Sequence, residues 1–180
     1  MLKGLKVMSQ SSQNDTIVLC GFMGCGKSTL GKALAVSLSY DYCDTDEMLL
    51  SETGMTLPEL FAVGGESYFR DREHEIVQKA SLLPRTVVST GGGVMTFERN
   101  ARLLAERAVI IHIRRSFDAC YAAISRRKNR PIASAKSREE LLRMYEARLA
   151  AYERYADFTL SNDGSVKAAV ARARAFILDR

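Results

Sequence analysis

The chain has 180 residues, of which 47% are hydrophobic, and this is enough for one domain with its own core. Its formal net charge is +5, no apolar run is long enough to span a membrane, and no aromatic residues alternate with the basic ones as a nucleic-acid surface would require. We therefore exclude membrane and nucleic-acid partners and expect a cytoplasmic protein whose surplus positive charge binds small anions.

The first predicted strand, residues 16–20, leads into a glycine-rich turn. Residues 21–29 read GFMGCGKST and fill the pattern G-x-x-x-x-G-K-[ST]; we call them the P-loop. Such a turn presents backbone N–H groups to a phosphate chain, Lys27 adds a charge on the β- and γ-phosphates, and Ser28 is the natural Mg²⁺ ligand. A chance match is the alternative, but a strand precedes the turn and an amphipathic run follows it. We assign six residues to ATP binding: Gly24, Cys25, Gly26, Lys27, Ser28 and Thr29.

The second predicted strand, residues 40–43, is followed by two carboxylates, Asp44 and Asp46. Open α/β sheets place their ligands at the carboxyl ends of the strands, and alternating residues on an extended backbone share a face. One carboxylate would then support Mg²⁺ while the other orients or deprotonates an acceptor hydroxyl. Alternatively, one of them is the N-cap of a helix over residues 47–52.

Arg70 lies on a long predicted helix, residues 66–81, which follows Gly64 and Gly65. Helical spacing alone favours a solvated ion pair with Glu66 or Glu73, because residues three and four apart are neighbours on a helix.

The third predicted strand, residues 86–90, ends in Gly91, Gly92 and Gly93, which we call the glycine triplet. Three glycines in a row cost conformational entropy, so they indicate a backbone that lies close to something or bends unusually. Beside a P-loop that partner is a substrate; a flexible turn is the alternative.

The fourth predicted strand, residues 108–113, is a nearly continuous apolar run, typical of a central parallel strand. It contains His112, for which a place in the core is the favoured interpretation. Four cysteines, without metal-ligand spacing, are interpreted as small apolar side chains in a reducing compartment. They are Cys20, Cys25, Cys43 and Cys120.

Residues 126–136 are strongly basic and contain Pro131, so we expect a surface loop. It is either a solvated segment or a lid that closes over ATP and brings a cation to the γ-phosphate. Ser137 and Glu140 then form a capping-box pattern that opens another helix. The last predicted elements are that helix, to about residue 155, a strand over residues 157–160 and a helix over residues 165–177.

Taken together and in this order, several motifs closely resemble shikimate kinase over residues 15 to 178. They are the P-loop, Asp44-Thr45-Asp46, Phe69-Arg70, the glycine triplet, Arg130-Pro131 and Arg148. The resemblance implies an α/β P-loop NTPase fold of the nucleoside-monophosphate-kinase type, with helices flanking a five-stranded parallel sheet in the order 2-3-1-4-5. It implies one kinase domain over residues 15–180, with a mobile lid at about 126–137. Residues 1–14, which are polar after Met8, have no counterpart in the family and are expected to form a flexible extension.

The resemblance also implies an activity and its partners. The enzyme would transfer the γ-phosphate of ATP to the 3-hydroxyl of shikimate, with Mg²⁺, and would act as a monomer. Two alternatives stay open: a P-loop kinase for another small hydroxy acid such as gluconate, and a nucleotide-dependent regulatory ATPase.

By the same resemblance, Ser28 binds Mg²⁺ and Asp44 supports the ion through water. Asp46 holds the acceptor diol and is the candidate base, and Lys27 and Arg130 act on the phosphates. The remaining implied substrate contacts are Arg70 and Arg148 on the carboxylate and Gly91, Gly92 and Gly93 through the backbone. Arg126 or Arg127 would stack on adenine.

Overall fold

A five-stranded parallel sheet forms the centre of the computed structural model, which describes residues 15–126 and 136–180. The strand order is β2-β3-β1-β4-β5, so the predicted order 2-3-1-4-5 is confirmed. All residues of β1 and β3 are buried, as expected for parallel strands covered on both faces. The strands are β1 (Ile17–Cys20), β2 (Asp41–Asp44), β3 (Thr86–Ser89), β4 (Val109–Arg114) and β5 (Phe158–Ser161).

Helices flank this sheet, and their bounds lie close to the predicted ones, except that the helix predicted over residues 66–81 begins earlier, at Leu57. Within the described residues they are α1 (Lys27–Leu38), α2 (Thr45–Thr53), α3 (Leu57–Ala80), α4 (Glu98–Arg107), α5 (Phe117–Ser125), α6 (Arg138–Tyr155) and α7 (Val166–Leu178), with a short 3₁₀ turn at Val94–Thr96.

Two helix features follow directly from the sequence. Helix α3 is interrupted at Gly65, whose φ of 70° and ψ of −166° are non-helical, so two helical segments meet there. The predicted capping box at the start of α6 is confirmed, because Ser137 Oγ accepts from the backbone N–H of Glu140 and Glu140 Oε2 accepts from that of Ser137.

The core has two parts. The larger one surrounds β1, β3 and β4, whereas a smaller cluster joins α2 to α3 through Leu49, Leu60, Phe69 and Ile76. The segment that carries Asp46 and Arg70 therefore packs on a cluster of its own beside the sheet.

The interpretation of His112 as a core residue is confirmed. His112 is 1% exposed in β4, and burial lowers the pKa of its imidazole to about 4. All four cysteines are free, and burial raises the pKa of the Cys20 and Cys120 thiols to about 12. Across the described ranges, no helix combines the length and the apolar character that a membrane crossing demands.

Two predicted segments lie outside the described residues. The N-terminal extension, residues 1–14, is one of them; residues 127–135 of the predicted lid, with Arg127 and Arg130, are the other.

Candidate active site

The P-loop connects β1 to α1 and depends on three glycines with positive φ. Gly21, Gly24 and Gly26 have φ values of 140°, 78° and 101°, a region that favours glycine. Space is also short, because a Cβ on Gly21 would lie 2.5 Å from the Ile113 carbonyl oxygen and a Cβ on Gly24 equally close to that of Cys120. Both the conformation and the surroundings of this turn therefore require glycine.

Lys27, the first residue of α1, folds its side chain back over the P-loop. Its Nζ donates to the carbonyl oxygens of Gly21 at 2.8 Å and Phe22 at 3.0 Å. The ammonium group is thus held at the concave turn whose N–H groups would receive phosphates.

Asp44, the last residue of β2, has two contacts that correspond to the two predicted roles. Its Oδ2 accepts from Ser28 Oγ at 3.2 Å, and its Oδ1 accepts from the backbone N–H of Asp46 at 3.0 Å as the N-cap of α2. Capping the helix and facing Ser28 are therefore compatible, because each contact uses a different carboxylate oxygen.

The expected geometry of Asp46 is wrong in one respect. Asp46 does not share an extended face with Asp44, since β2 ends at Asp44 and Asp46 lies in the first turn of α2. The helix turn nevertheless directs Asp46 to the glycine triplet, where a Cβ on Gly91 would lie 2.7 Å from Asp46 Oδ1.

The other two glycines of the triplet each face an arginine. A Cβ on Gly93 would lie 3.1 Å from Arg70 Nη1, and the Gly92 carbonyl oxygen accepts from Arg148 Nη1 at 3.2 Å. Asp46, Arg70 and Arg148 come from three different helices, and the triplet is the backbone segment on which they meet.

The triplet also borders the P-loop. A Cβ on Gly92 would lie 3.5 Å from the backbone N of Met23 and 3.8 Å from the Gly21 carbonyl oxygen. One cleft therefore joins the phosphate-binding turn to the two arginines and the aspartate.

Arg70 has the helix partners that its spacing predicts, but one of them is buried. Its Nη1 donates to both carboxylate oxygens of Glu73, at 3.1 and 3.0 Å, and its Nη2 donates to Glu66 Oε1 at 3.4 Å. Glu73 is only 6% exposed, and this burial raises the pKa of its carboxyl group, while the charges of Arg70 and Arg148 oppose the shift. The pair is thus part of the cleft and not a solvated surface contact.

Sequence reasoning missed several residues that hold the cleft together. Tyr152 Oη donates to the Gly92 carbonyl oxygen at 2.6 Å, Gly91 N–H donates to Thr45 Oγ1 at 3.0 Å, and Asn162 Nδ2 donates to the Cys25 carbonyl oxygen at 2.7 Å. No short-range pattern marks them, although the capping box at Ser137 fixes the helix that carries Tyr152. Of the residues predicted for the lid, Arg126 is exposed at the end of α5, whereas Arg127 and Arg130 are not described.

The sheet order, the P-loop and the adjoining cleft define a P-loop phosphotransferase of the nucleoside-monophosphate-kinase type. A family model described as "SKI: Shikimate kinase" matches residues 23–177. The chain belongs to the shikimate kinase family.

Individual relatives agree with the family model. A shikimate kinase from Thermodesulfovibrio yellowstonii is 37% identical over 149 residues, which cover 82% of this chain and 86% of that protein. The solved structure of a shikimate kinase from Acinetobacter baumannii in complex with shikimate has a TM-score of 0.85 at 30% identity and covers 92% of this chain and 93% of that one.

A gluconokinase from Sinorhizobium meliloti shares the fold at a greater distance. Its TM-score is 0.61 at 15% identity, over 94% of each chain. At this identity the likeness shows the architecture alone.

Proposed function

We propose that this chain transfers the γ-phosphate of ATP to the 3-hydroxyl of shikimate, giving shikimate 3-phosphate. Family membership supports the reaction, as does the relative solved with shikimate. The single structural observation that carries the proposal is the convergence of Asp46, Arg70 and Arg148 on the glycine triplet, beside the P-loop.

Arg70 and Arg148 are proposed to bind the shikimate carboxylate. A guanidinium group matches a planar carboxylate with two parallel hydrogen bonds, and two such groups suit one buried acid. Phe69 and Phe97 support this assignment for Arg70, because their rings lie 4.7 and 4.3 Å from its Cζ and limit its side-chain freedom. The backbone of Gly91, Gly92 and Gly93 is proposed to line the substrate, since no side chain separates it from the cleft.

Asp46 is proposed to orient the 3-hydroxyl and to accept its proton. The hydroxyl oxygen then forms a bond to the γ-phosphorus while the bond from that phosphorus to the β-bridging oxygen breaks, and ADP leaves with the electron pair. The proximity of Asp46 to Gly91, in the triplet that borders the P-loop, supports this role.

The ATP site is proposed to consist of the P-loop backbone at Gly24, Cys25, Gly26 and Thr29, with Lys27 on the β- and γ-phosphates. Arg130, which lies outside the described residues, is proposed from the sequence as the lid cation on the phosphates. Arg126 or Arg127 would contact adenine. We likewise propose one kinase domain over residues 15–180 with a lid at about residues 126–137.

Ser28 and Asp44 fit a magnesium ion. A hydroxyl and a carboxylate lie 3.2 Å apart at the start of α1, and hard oxygen donors of this kind are what Mg²⁺ prefers, usually with retained waters and substrate phosphates. When bound, the ion would neutralise charge on the β- and γ-phosphate oxygens. Ser28 would hold it directly and Asp44 through water.

A monomeric, cytoplasmic enzyme is the form we propose. Four free cysteines suit a reducing compartment.

The test is ADP release by the full chain with ATP and Mg²⁺, measured with shikimate, with gluconate and without acceptor. We expect release only with shikimate. Slow release that is independent of shikimate would contradict the proposal and favour the regulatory ATPase, and faster release with gluconate would favour the other kinase.

The role of Asp46 is tested by Asp46→Asn. We expect kcat to fall by about 10²-fold or more while the affinity for ATP is kept, because general base catalysis contributes about that factor. Near-normal turnover would remove Asp46 from catalysis.

A further inference from the structure

We infer that Tyr152 is a positioning residue for the acceptor half of the cleft, acting through the glycine triplet. This inference rests on the proposed function. It concerns a side chain on α6, one helical turn beyond Arg148, that does not itself reach the reacting atoms.

Tyr152 directs its hydroxyl at the middle of the triplet. Its Oη donates to the Gly92 carbonyl oxygen at 2.6 Å, a short bond between groups 60 residues apart in the chain. The side chain is 1% exposed and is among the largest fully buried side chains of the described residues. The bond is therefore shielded from water, where a lost partner is costly.

Arg148 donates to the same carbonyl oxygen at 3.2 Å, so two donors from α6 fix one peptide group. A trans peptide is planar, and the carbonyl of Gly92 and the N–H of Gly93 point in opposite directions. With the carbonyl held toward α6, the N–H of Gly93 must face away from that helix. Within residues 15–126 and 136–180 this N–H donates no hydrogen bond to the protein, so it is available to a ligand.

The same peptide lies next to the arginines. A Cβ on Gly93 would lie 3.1 Å from Arg70 Nη1, and one on Gly92 would lie 3.8 Å from Arg148 Nη1. Rotation of the Gly92–Gly93 peptide would move the N–H of Gly93 and release one contact of Arg148. Tyr152 thus restrains both together.

The surroundings keep the Tyr152 hydroxyl a donor. Burial raises the pKa of its phenol, so it stays protonated at neutral pH. Its ring packs against His112 with 5.3 Å between ring centroids, and His112 is held neutral at that pH by the lowered pKa described above.

The test compares Tyr152→Phe with Tyr155→Phe. Both substitutions keep the ring and remove one hydroxyl from α6, but Tyr155 donates its 2.6 Å bond to Glu98 at the surface. We expect Tyr152→Phe to raise KM for shikimate about fivefold to tenfold, the effect of one buried hydrogen bond, with KM for ATP changed by less than about twofold. Tyr155→Phe should match the wild type in both constants.

Shikimate titration by calorimetry accompanies the kinetics. Equal increases of both KM values in Tyr152→Phe would indicate a merely structural role and overturn the inference, as would an unchanged KM for shikimate. If the wild type binds shikimate without turning it over, the proposed function fails, and the affinities of the two variants still decide the role of Tyr152. If the wild type does not bind shikimate, both fail.

Discussion

Glycine is required in this cleft for two different physical reasons. In the P-loop, Gly21, Gly24 and Gly26 have positive φ values that other residues rarely adopt. Gly91, Gly92 and Gly93 do not have positive φ, so the left-handed region is not the reason for glycine there. Close approach is the reason that the structure supports at Gly91 and Gly93, where a Cβ would lie 2.7 Å from Asp46 Oδ1 and 3.1 Å from Arg70 Nη1.

At the residue scale, several residues that the sequence proposed for the site lie in one cleft, whereas their surroundings were not predicted. The P-loop pattern proposed Lys27 and Ser28 because its spacing has a mechanism. Glu73 was predicted only as an ordinary helix partner of Arg70. Helical spacing predicts which residues are neighbours on α3, but not which face of α3 is covered by the triplet and α6.

Glu73→Gln tests the importance of that burial. Gln keeps the shape but not the charge that receives two bonds from Arg70 Nη1, so Arg70 should be held less firmly. We expect KM for shikimate to rise about tenfold with KM for ATP nearly unchanged, as charged hydrogen bonds contribute ~1.5–3 kcal/mol.

Glu66→Gln is the matched control. Glu66 also pairs with Arg70, at 3.4 Å, but its side chain is 67% exposed and water screens the pair. Little change is expected in steady-state kinetics, and equal effects of the two variants would mean that burial does not matter here.

At the element scale, the P-loop is supported from behind by the loops that follow β4 and β5. Arg115 Nη1 donates to the Gly24 carbonyl oxygen at 3.2 Å, and Asn162, 7% exposed, donates to that of Cys25 at 2.7 Å. The second contact joins residues 137 positions apart, so no local pattern could have predicted it. The strands were predictable from their apolar runs and their order from the family resemblance; contacts between loop ends were not predictable.

Asn162→Ala should loosen the P-loop. Removing the amide leaves the Cys25 carbonyl oxygen without this donor, and we expect KM for ATP to rise about threefold to tenfold while KM for shikimate changes little. The neighbouring Ser161→Ala, which removes an exposed hydroxyl, is the control. A selective rise of KM for shikimate would contradict this account of the loop.

At the scale of the whole molecule, two separate hydrophobic cores support different parts of the cleft. The large core holds the sheet and the P-loop, while the small cluster of Leu49, Leu60, Phe69 and Ile76 supports the helices of Asp46 and Arg70. Continuous apolar runs predicted the central strands of the first core. The second depends on a kink at Gly65 and on side chains from two helices, which the sequence alone does not bring together.

The buried His112 makes the stability of the folded protein depend on pH. Above pH 6.5 its imidazole is neutral in both the folded and the unfolded chain, whereas between pH 6.5 and about 4 only the unfolded chain binds the proton. Stability from this group is thus present above pH 6.5 and is lost as the pH falls toward 4, by at most about 3 kcal/mol.

Urea unfolding of wild type and His112→Gln at several pH values measures the contribution of His112 to the free energy of unfolding. The free energy of unfolding of the wild type should fall more steeply between pH 6.5 and 4 than that of the variant, which cannot titrate at this position. Parallel curves would show that the folded protein accepts the proton without cost.

Gly92 lies between the P-loop backbone and Arg148. A methyl group at this position would be in ordinary contact with Met23 and Arg148, at 3.5 and 3.8 Å, so the polypeptide itself could tolerate it. Under the proposed function the P-loop binds ATP and Arg148 binds the acceptor, so the added carbon would stand between the two substrates. Gly92→Ala should consequently yield a well-folded protein that still binds ATP but does not transfer the phosphoryl group. Such a variant would allow the complex with ATP to be studied without turnover.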